Sequence, residues 1–112
     1  MTPPTHEDAI LMVSLAQWGT ALGIEQAMPR IFAEDFDPQG ADVMEDDAVR
    51  KLLMFAESIG TLTKNGLLNV ALVHDWLWIE GLWARLGPAA IRQRERHGEP
   101  RLYENFEALA KL

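Results

Sequence analysis

The sequence contains no cysteine, which excludes disulfide bonds, thiolate metal sites and a catalytic thiol. It also lacks an apolar run of the roughly 18 residues that a membrane-spanning helix needs. The best candidate for such a span, residues 70–86, is interrupted by four polar or charged side chains: His74, Asp75, Glu80 and Arg85. The first residues show neither the basic start nor the small-residue cleavage site of a signal peptide. These absences predict a cytoplasmic protein with no membrane contact.

The sequence also lacks the alternating pattern of a β-strand, and its acidic and basic residues are not equal in number. β-branched residues are few, and no useful length of chain alternates apolar and polar side chains. The 112 residues, 48% of them hydrophobic, are enough for one globular domain over residues 1–112. Acidic residues outnumber basic ones by 17 to 10, and residues 1–60 hold 11 acids and 3 bases. The negative electrostatic field of the whole domain therefore disfavours the binding of nucleic acid. The acidic N-terminal half and the more basic C-terminal half would attract each other.

Helical periodicity is clear in the first third of the chain. Thr5 is a suitable cap for a helix that begins just after it, and apolar residues then recur at helical spacing as far as Phe32. Gly23 and Pro29 interrupt this pattern. The segment therefore forms either one kinked helix or two helices joined near Gly23.

A further helix is predicted over residues 43–64. Asp42 followed three positions later by Glu45 resembles a capping box at its start. Asn65 and Gly66 should end it in a left-handed cap.

The segment over residues 68–86 is the most hydrophobic of the predicted helices. Its side chains leave almost no polar face, which is typical of a helix enclosed by neighbours or covered by a second chain. Gly87-Pro88 should break it, and two shorter helices should follow over residues 89–96 and 102–112. We therefore predict an all-α bundle of about five helices joined by short loops, with this tryptophan-rich helix at its centre.

Three of the four tryptophans lie in this predicted helix. Trp76 and Trp83 are seven positions apart and would share one face, whereas Trp78 would project from another, near Leu82. Side chains of this kind form a core, a hot spot for self-association or a pocket for a planar ligand. The candidates for an interface or a ligand site are accordingly Trp76, Trp78, Leu82 and Trp83.

Two carboxylates, Glu57 and Glu80, interrupt otherwise apolar stretches. Buried together they would form a general acid–base pair. Arginines are plentiful in the C-terminal half, however, and buried carboxylates are normally paired, so we expect structural ion pairs. His74 has no partner at metal-ligand spacing, and we predict no metal site, no cofactor and no catalytic residue.

The basic stretch over residues 92–96 is the one part of the sequence suited to binding phosphate. Arg92, Arg94 and Arg96 would contact a small anion or an RNA end if they were free. We favour the alternative that they form a solvated face and pair with the acidic N-terminal half. No glycine-rich phosphate loop accompanies them.

Several short strings in the C-terminal half are notable together: Phe55-Ala56-Glu57-Ser58-Ile59-Gly60, Gly66-Leu67-Leu68, Trp83 before Gly87-Pro88, Arg94, and Tyr103-Glu104-Asn105-Phe106-Glu107. They cover roughly residues 53–110 and resemble an uncharacterised family of small all-helical prokaryotic proteins, a domain of unknown function. The resemblance implies an all-α fold and no particular activity. It also implies that Arg94 pairs with Glu107 or Glu57 and so locks the last helices onto the bundle.

We expect a non-enzymatic cytoplasmic protein that self-associates as a homodimer, with part of the helix over residues 70–86 as the contact. One alternative is a small-ligand-binding bundle whose pocket is lined by Trp76, Trp83, Glu57 and an arginine. Another is weak phosphate or nucleic-acid contact through the helix that carries Arg92, Arg94 and Arg96.

Overall fold

The computed structural model describes residues 2–112. It contains six α-helices and one short 3-10 turn: α1 (His6–Leu22), α2 (Ile24–Phe32), the 3-10 turn (Val43–Glu45), α3 (Asp47–Lys64), α4 (Val70–Trp76), α5 (Ile79–His97) and α6 (Glu104–Ala110). No strand occurs among residues 2–112. The all-α prediction is therefore confirmed, with six α-helices in place of about five.

The N-terminal segment forms two helices. At the start of α1, the Thr5 hydroxyl accepts a hydrogen bond from the Asp8 N–H (3.1 Å), and the Asp8 carboxylate accepts one from the Thr5 N–H (2.8 Å), which completes a capping box. Gly23 adopts a left-handed conformation with φ of 84°, which separates α1 from α2. Pro29 lies inside α2 without ending it. The structure thus decides between the two predicted alternatives in favour of two helices.

The start of α3 differs from the prediction. Asp42 makes no capping hydrogen bond, and Val43–Glu45 forms the 3-10 turn instead. Asp46 is the cap: its Oδ1 accepts hydrogen bonds from two backbone N–H groups in the first turn of α3 (2.9 and 3.3 Å), and its Oδ2 accepts one from Arg30 Nε in α2 (2.8 Å). The Asp46 carboxylate both caps the free N–H groups at the start of α3 and pairs with the Arg30 guanidinium. These two interactions stabilise a start at Asp46 more than the capping box predicted from Asp42 and Glu45.

The tryptophan-rich segment is divided between two helices, which corrects the prediction of a single helix over residues 68–86. α4 ends at Trp76, after which Leu77 is extended (φ −126°, ψ 139°). α5 then continues without a break past Pro88. Proline removes one helical hydrogen bond, but residues on either side of it are completely buried, so packing holds the helix together. The predicted helix over residues 89–96 is the second half of α5.

α3 is the central helix of the bundle, in place of the predicted tryptophan-rich helix. It packs most extensively against α2 and α6, and it also contacts α5. Its buried stripe includes Val49, Leu52 and Ile59, which are at most 1% exposed. Burial of each large aliphatic side chain contributes about 1.5–3 kcal/mol, so this stripe accounts for much of the stability. The helix ends as predicted, because Gly66 just beyond it is left-handed with φ of 72°.

We expect Asp46→Asn to destabilise the protein at neutral pH but not in strong acid. The hydrogen bond from Arg30 is the main cause that lowers the pKa of Asp46 below its ordinary value of 3.8. The charged carboxylate therefore stabilises the fold above about pH 4, and this contribution is lost as the pH falls through the folded-state pKa. Asparagine still accepts the capping hydrogen bonds, so the change should lower Tm by about 4 °C at neutral pH.

Thermal unfolding between about pH 7 and pH 2 measures this difference. Asp42→Asn is the matched control, because Asp42 makes no capping hydrogen bond, and its Tm should follow that of the wild type. A deficit of Asp46→Asn that persists unchanged into strong acid would contradict the assigned ion pair.

Candidate functional site

The four predicted interface candidates do not form one surface. Leu82 is a core residue, only 3% exposed, which corrects its assignment to an interface. Trp76, in α4, packs edge-on against Phe55 with 6.3 Å between ring centroids. Trp83, in α5, packs edge-on against Phe106 at 5.1 Å. Because the two tryptophans lie on different helices and contact different rings, they do not share a helix face.

Trp78 is the candidate that projects into solvent. It is 68% exposed. Its ring stacks on Phe32 with 5.7 Å between centroids and 13° between the planes. The same ring lies over Gly81, where it leaves no room for a Cβ. Trp78 is thus supported from one side and forms a single apolar patch of modest size.

The larger surface cavities contain no tryptophan. One cavity of about 720 Å³ lies where the start of α1, the end of α3 and the start of α4 meet. Another of about 680 Å³ lies between α3 and the C-terminal part of α5. Neither Trp76 nor Trp83 lines them, so the predicted tryptophan-lined pocket finds no support in these cavities.

Glu57 holds the start of α6. Its Oε1 accepts hydrogen bonds from the N–H groups of Asn105 (3.0 Å) and Phe106 (2.9 Å), and its Oε2 accepts one from Asn105 Nδ2 (3.0 Å). Tyr103, the residue before α6, provides no side-chain cap. A carboxylate from α3 therefore satisfies N–H groups that α6 cannot satisfy itself. The expected pairing of Glu57 with an arginine is replaced by this helix cap.

Glu80 and His74 form a separate contact near the surface. Glu80 Oε1 lies 3.2 Å from His74 Nδ1, and the Glu80 side chain is 53% exposed. Glu57 and Glu80 thus have different partners, which does not favour an acid–base pair. The other ring nitrogen of His74 is buried without a hydrogen-bond partner among the described residues. Within residues 2–112, no group of three or more metal-ligating side chains is placed to hold an ion.

Arg94 ties α6 to α5, as the family resemblance implied. Its Nη2 donates to Glu107 Oε1 (2.9 Å), and its Nε donates to the carbonyl of Leu102 (2.7 Å). The guanidinium also lies 6.0 Å from the ring centroid of Trp83, within the range of a cation–π contact. The predicted pair with Glu107 is confirmed, and the alternative pair with Glu57 is not formed.

Arg92 and Arg96 have partners of their own. Arg92 Nη1 donates to the carbonyl of Gly40 in the loop before the 3-10 turn (2.7 Å). Arg96 Nη1 lies 2.9 Å from Glu45 Oε1, a pair between the basic segment and the acidic N-terminal half as predicted. Because Arg92, Arg94 and Arg96 reach three different partners, they do not converge on one anion site.

The exposed surface of α1 is the feature that the sequence interpretation missed. Residues 9–22 contain no charged side chain, yet within α1 only Leu15 and Gly19 are buried. Ile10 is 68% exposed and Val13 52% exposed. Six of the exposed residues form what we call the α1 outer face: Ala9, Ile10, Val13, Ala16, Gln17 and Thr20. Ser14, Trp18 and Ala21 are exposed beside them. The absence of charge over residues 9–22 was the signal that would have found it.

α1 is fixed to the bundle by its other side and by its start. The rings of Trp18 and Phe55 lie 5.5 Å apart. Asp8 Oδ1 accepts a hydrogen bond from the N–H of Asn69 (3.0 Å), and Asn69 Nδ2 donates to the carbonyl of Thr2 (2.8 Å). These contacts hold the α1 outer face open to solvent. No helix in the described part of the chain is both long and apolar enough to cross a membrane.

The fold and this surface define a small all-helical protein whose first helix presents an uncharged, partly apolar face. The chain belongs to the family described as a domain of unknown function (DUF4760), whose model matches residues 8–112. The match confirms the resemblance to an uncharacterised family, and it covers nearly the whole chain where the resembling strings covered only residues 53–110. Neither the curated proteins nor the solved structures contain a match to the chain.

Proposed function

We propose that the protein is a non-enzymatic interaction module of the cytoplasm that forms a homodimer through the α1 outer face. The observation that supports this is a 17-residue helix with only two buried residues and an uncharged face that no part of residues 2–112 covers. The proposal moves the contact from the predicted segment over residues 70–86 to α1. In that segment Trp78 is the one large apolar side chain that is exposed.

Charge favours a second copy of the chain as the partner. The net charge of −7 makes two copies repel over most of their surfaces. Residues 9–22 contribute none of that charge, so contact between two α1 outer faces removes no ionised side chain of that helix segment from water. A strongly charged partner would find no counter-charge on this face, whereas an identical face complements it.

The spacing of the outer face suits a pair of helices. Ile10, Val13, Gln17 and Thr20 follow one another at the intervals of three, four and three residues that separate contact positions in a coiled coil, with the apolar pair in the first half of the line and the polar pair in the second. α1 carries acidic residues in its first turn and no basic residue in its last. A parallel pair would bring the two acidic turns together, whereas an antiparallel pair about a twofold axis keeps them apart and opposes the helix dipoles. We therefore propose the antiparallel arrangement.

Sedimentation equilibrium over a concentration series tests the dimer. We expect the apparent mass to rise from 12.6 kDa to about twice that value within roughly 10–100 µM protein. Trp78→Ala should leave this transition unchanged, because its ring is not part of the α1 outer face. A mass that stays at 12.6 kDa up to about 1 mM would overturn the proposal. If such a monomer sedimented with phosphatidylcholine vesicles, the partner of this face would be a lipid surface.

A further inference from the structure

A second surface, distinct from the α1 outer face, collects basic side chains that are distant in sequence. The cavity of about 680 Å³ between α3 and α5 is within the usual size of a small-molecule site. α3 and α5 both contribute cations to it, and the residue before α6 contributes a phenol. The lining residues that matter here are Arg50, Lys51, Met54, Arg96, His97 and Tyr103.

The charges of this cavity leave Arg50 without a counter-ion. Lys51 lies 2.9 Å from Asp47, and Arg96 lies 2.9 Å from Glu45, so the two carboxylates that line the cavity are each paired. Among residues 2–112, no carboxylate forms an ion pair with Arg50, which is exposed. The cavity therefore carries a local excess of positive charge in a chain whose net charge is −7.

Tyr103 is held in an uncommon backbone conformation at the edge of this cavity. Its φ of 59° makes it the one non-glycine residue of the described chain with a positive φ. Bulky residues rarely adopt this conformation, and strain of this kind is concentrated at functional sites. Burial is the main cause that raises the pKa of Tyr103, against the opposing charge of Arg50. The phenol therefore stays protonated at neutral pH and can donate a hydrogen bond.

We propose that this cavity binds a small organic phosphate. The unpaired guanidinium of Arg50 would contact the phosphate oxygens, since its planar fork of N–H groups matches them, and the Tyr103 hydroxyl would donate a further hydrogen bond. Met54, which is 44% exposed, provides apolar surface for the organic part of the ligand. None of these residues belongs to the α1 outer face, so the site is independent of the proposed dimer.

Isothermal titration calorimetry with phenyl phosphate, inorganic phosphate and benzoate tests the site. We expect phenyl phosphate to bind more tightly than either of the others, because inorganic phosphate lacks the apolar ring and benzoate lacks the phosphate group. Arg50→Gln should weaken its binding about tenfold, and Tyr103→Phe about threefold. Lys64→Gln is the matched control: Lys64 is exposed and outside the cavity, so loss of its charge should change the affinity less than about twofold.

Three results would each overturn the proposal. The first is the absence of measurable binding heat up to about 10 mM phenyl phosphate. The second is an equal loss of affinity for phenyl phosphate in Arg50→Gln and Lys64→Gln. The third is an affinity for benzoate as high as that for phenyl phosphate. Equal weakening by the two charge variants would show that only the overall charge of the protein is felt. Because Arg50 is exposed and makes no ion pair within residues 2–112, its substitution should leave the fold intact, which the far-ultraviolet circular dichroism spectrum checks.

Discussion

Gly60→Ala is expected to lower the free energy of unfolding by about 3 kcal/mol. A Cβ at this position would lie 2.5 Å from the carbonyl carbon and oxygen of Asn105 and 2.8 Å from the amide nitrogen of Phe106. These are backbone atoms, and the hydrogen bonds to Glu57 hold the same two residues in place. The start of α6 would therefore have to move away from α3 and lose part of its cap. Urea unfolding followed by circular dichroism measures the change.

Gly87→Ala is the matched control for this substitution. Gly87 is also a buried helical glycine, but the atoms nearest to its added Cβ belong to the side chain of Trp83, at 3.0 Å. A side chain can shift, and alanine favours the helix over glycine by about 1 kcal/mol, so we expect a clearly smaller loss of stability. If the two variants were destabilised equally, close contact between the α3 and α6 backbones would not be what requires Gly60.

Val13→Glu is expected to weaken the proposed homodimer at least about 100-fold. Val13 lies in the middle of the α1 outer face, and the twofold axis of an antiparallel pair would bring two introduced carboxylates into the same contact. Val13 is 52% exposed in the single chain, so the monomer should keep its fold. Sedimentation equilibrium of the variant beside the wild type measures the shift, and circular dichroism verifies that the helical content is unchanged.

Leu67→Glu provides the control for added negative charge. Leu67 is 62% exposed, comparable to Val13, but it lies beyond the end of α3 and outside the α1 outer face. Its substitution should change the dimerisation constant only through the extra net charge, by less than about threefold. An equally strong effect of both variants would mean that repulsion between whole molecules, and not a contact through α1, governs association.

The junction between α3 and α6 shows how far the sequence predicted the candidate sites. Glu57 was selected because it interrupts an apolar stretch, and the pair of Arg94 with Glu107, which the family resemblance implied, is present. The role of Glu57 was predicted as an ion pair, and it is a cap instead. A cap between two residues that lie 48 positions apart in the chain depends on the approach of two backbones, which no local pattern encodes. Gly60 permits that approach and was not recognised for the same reason.

The location of exposed apolar surface was predicted less well. The segment over residues 70–86 is richer in large apolar side chains than α1, yet much of it is covered by α3 and its neighbours. Leu82 and Ile79 became core residues, and the extended residue Leu77 turned Trp76 and Trp78 toward different rings. The composition of a helix determines how much apolar surface it has. The composition does not determine which neighbouring helices will pack against that surface.

By itself the sequence determined that the chain is helical and where two helix ends lie, namely the start of α1 after Thr5 and the end of α3 before Gly66. Thr5, Gly23 and Gly66 act within a few residues of their own position, so their effects can be inferred without knowledge of the rest of the fold. Only the tertiary structure decided that α3 is central, that α5 continues past Pro88 and that the α1 outer face stays open. These outcomes depend on contacts between segments remote in the chain, whose packing energy exceeds local preferences.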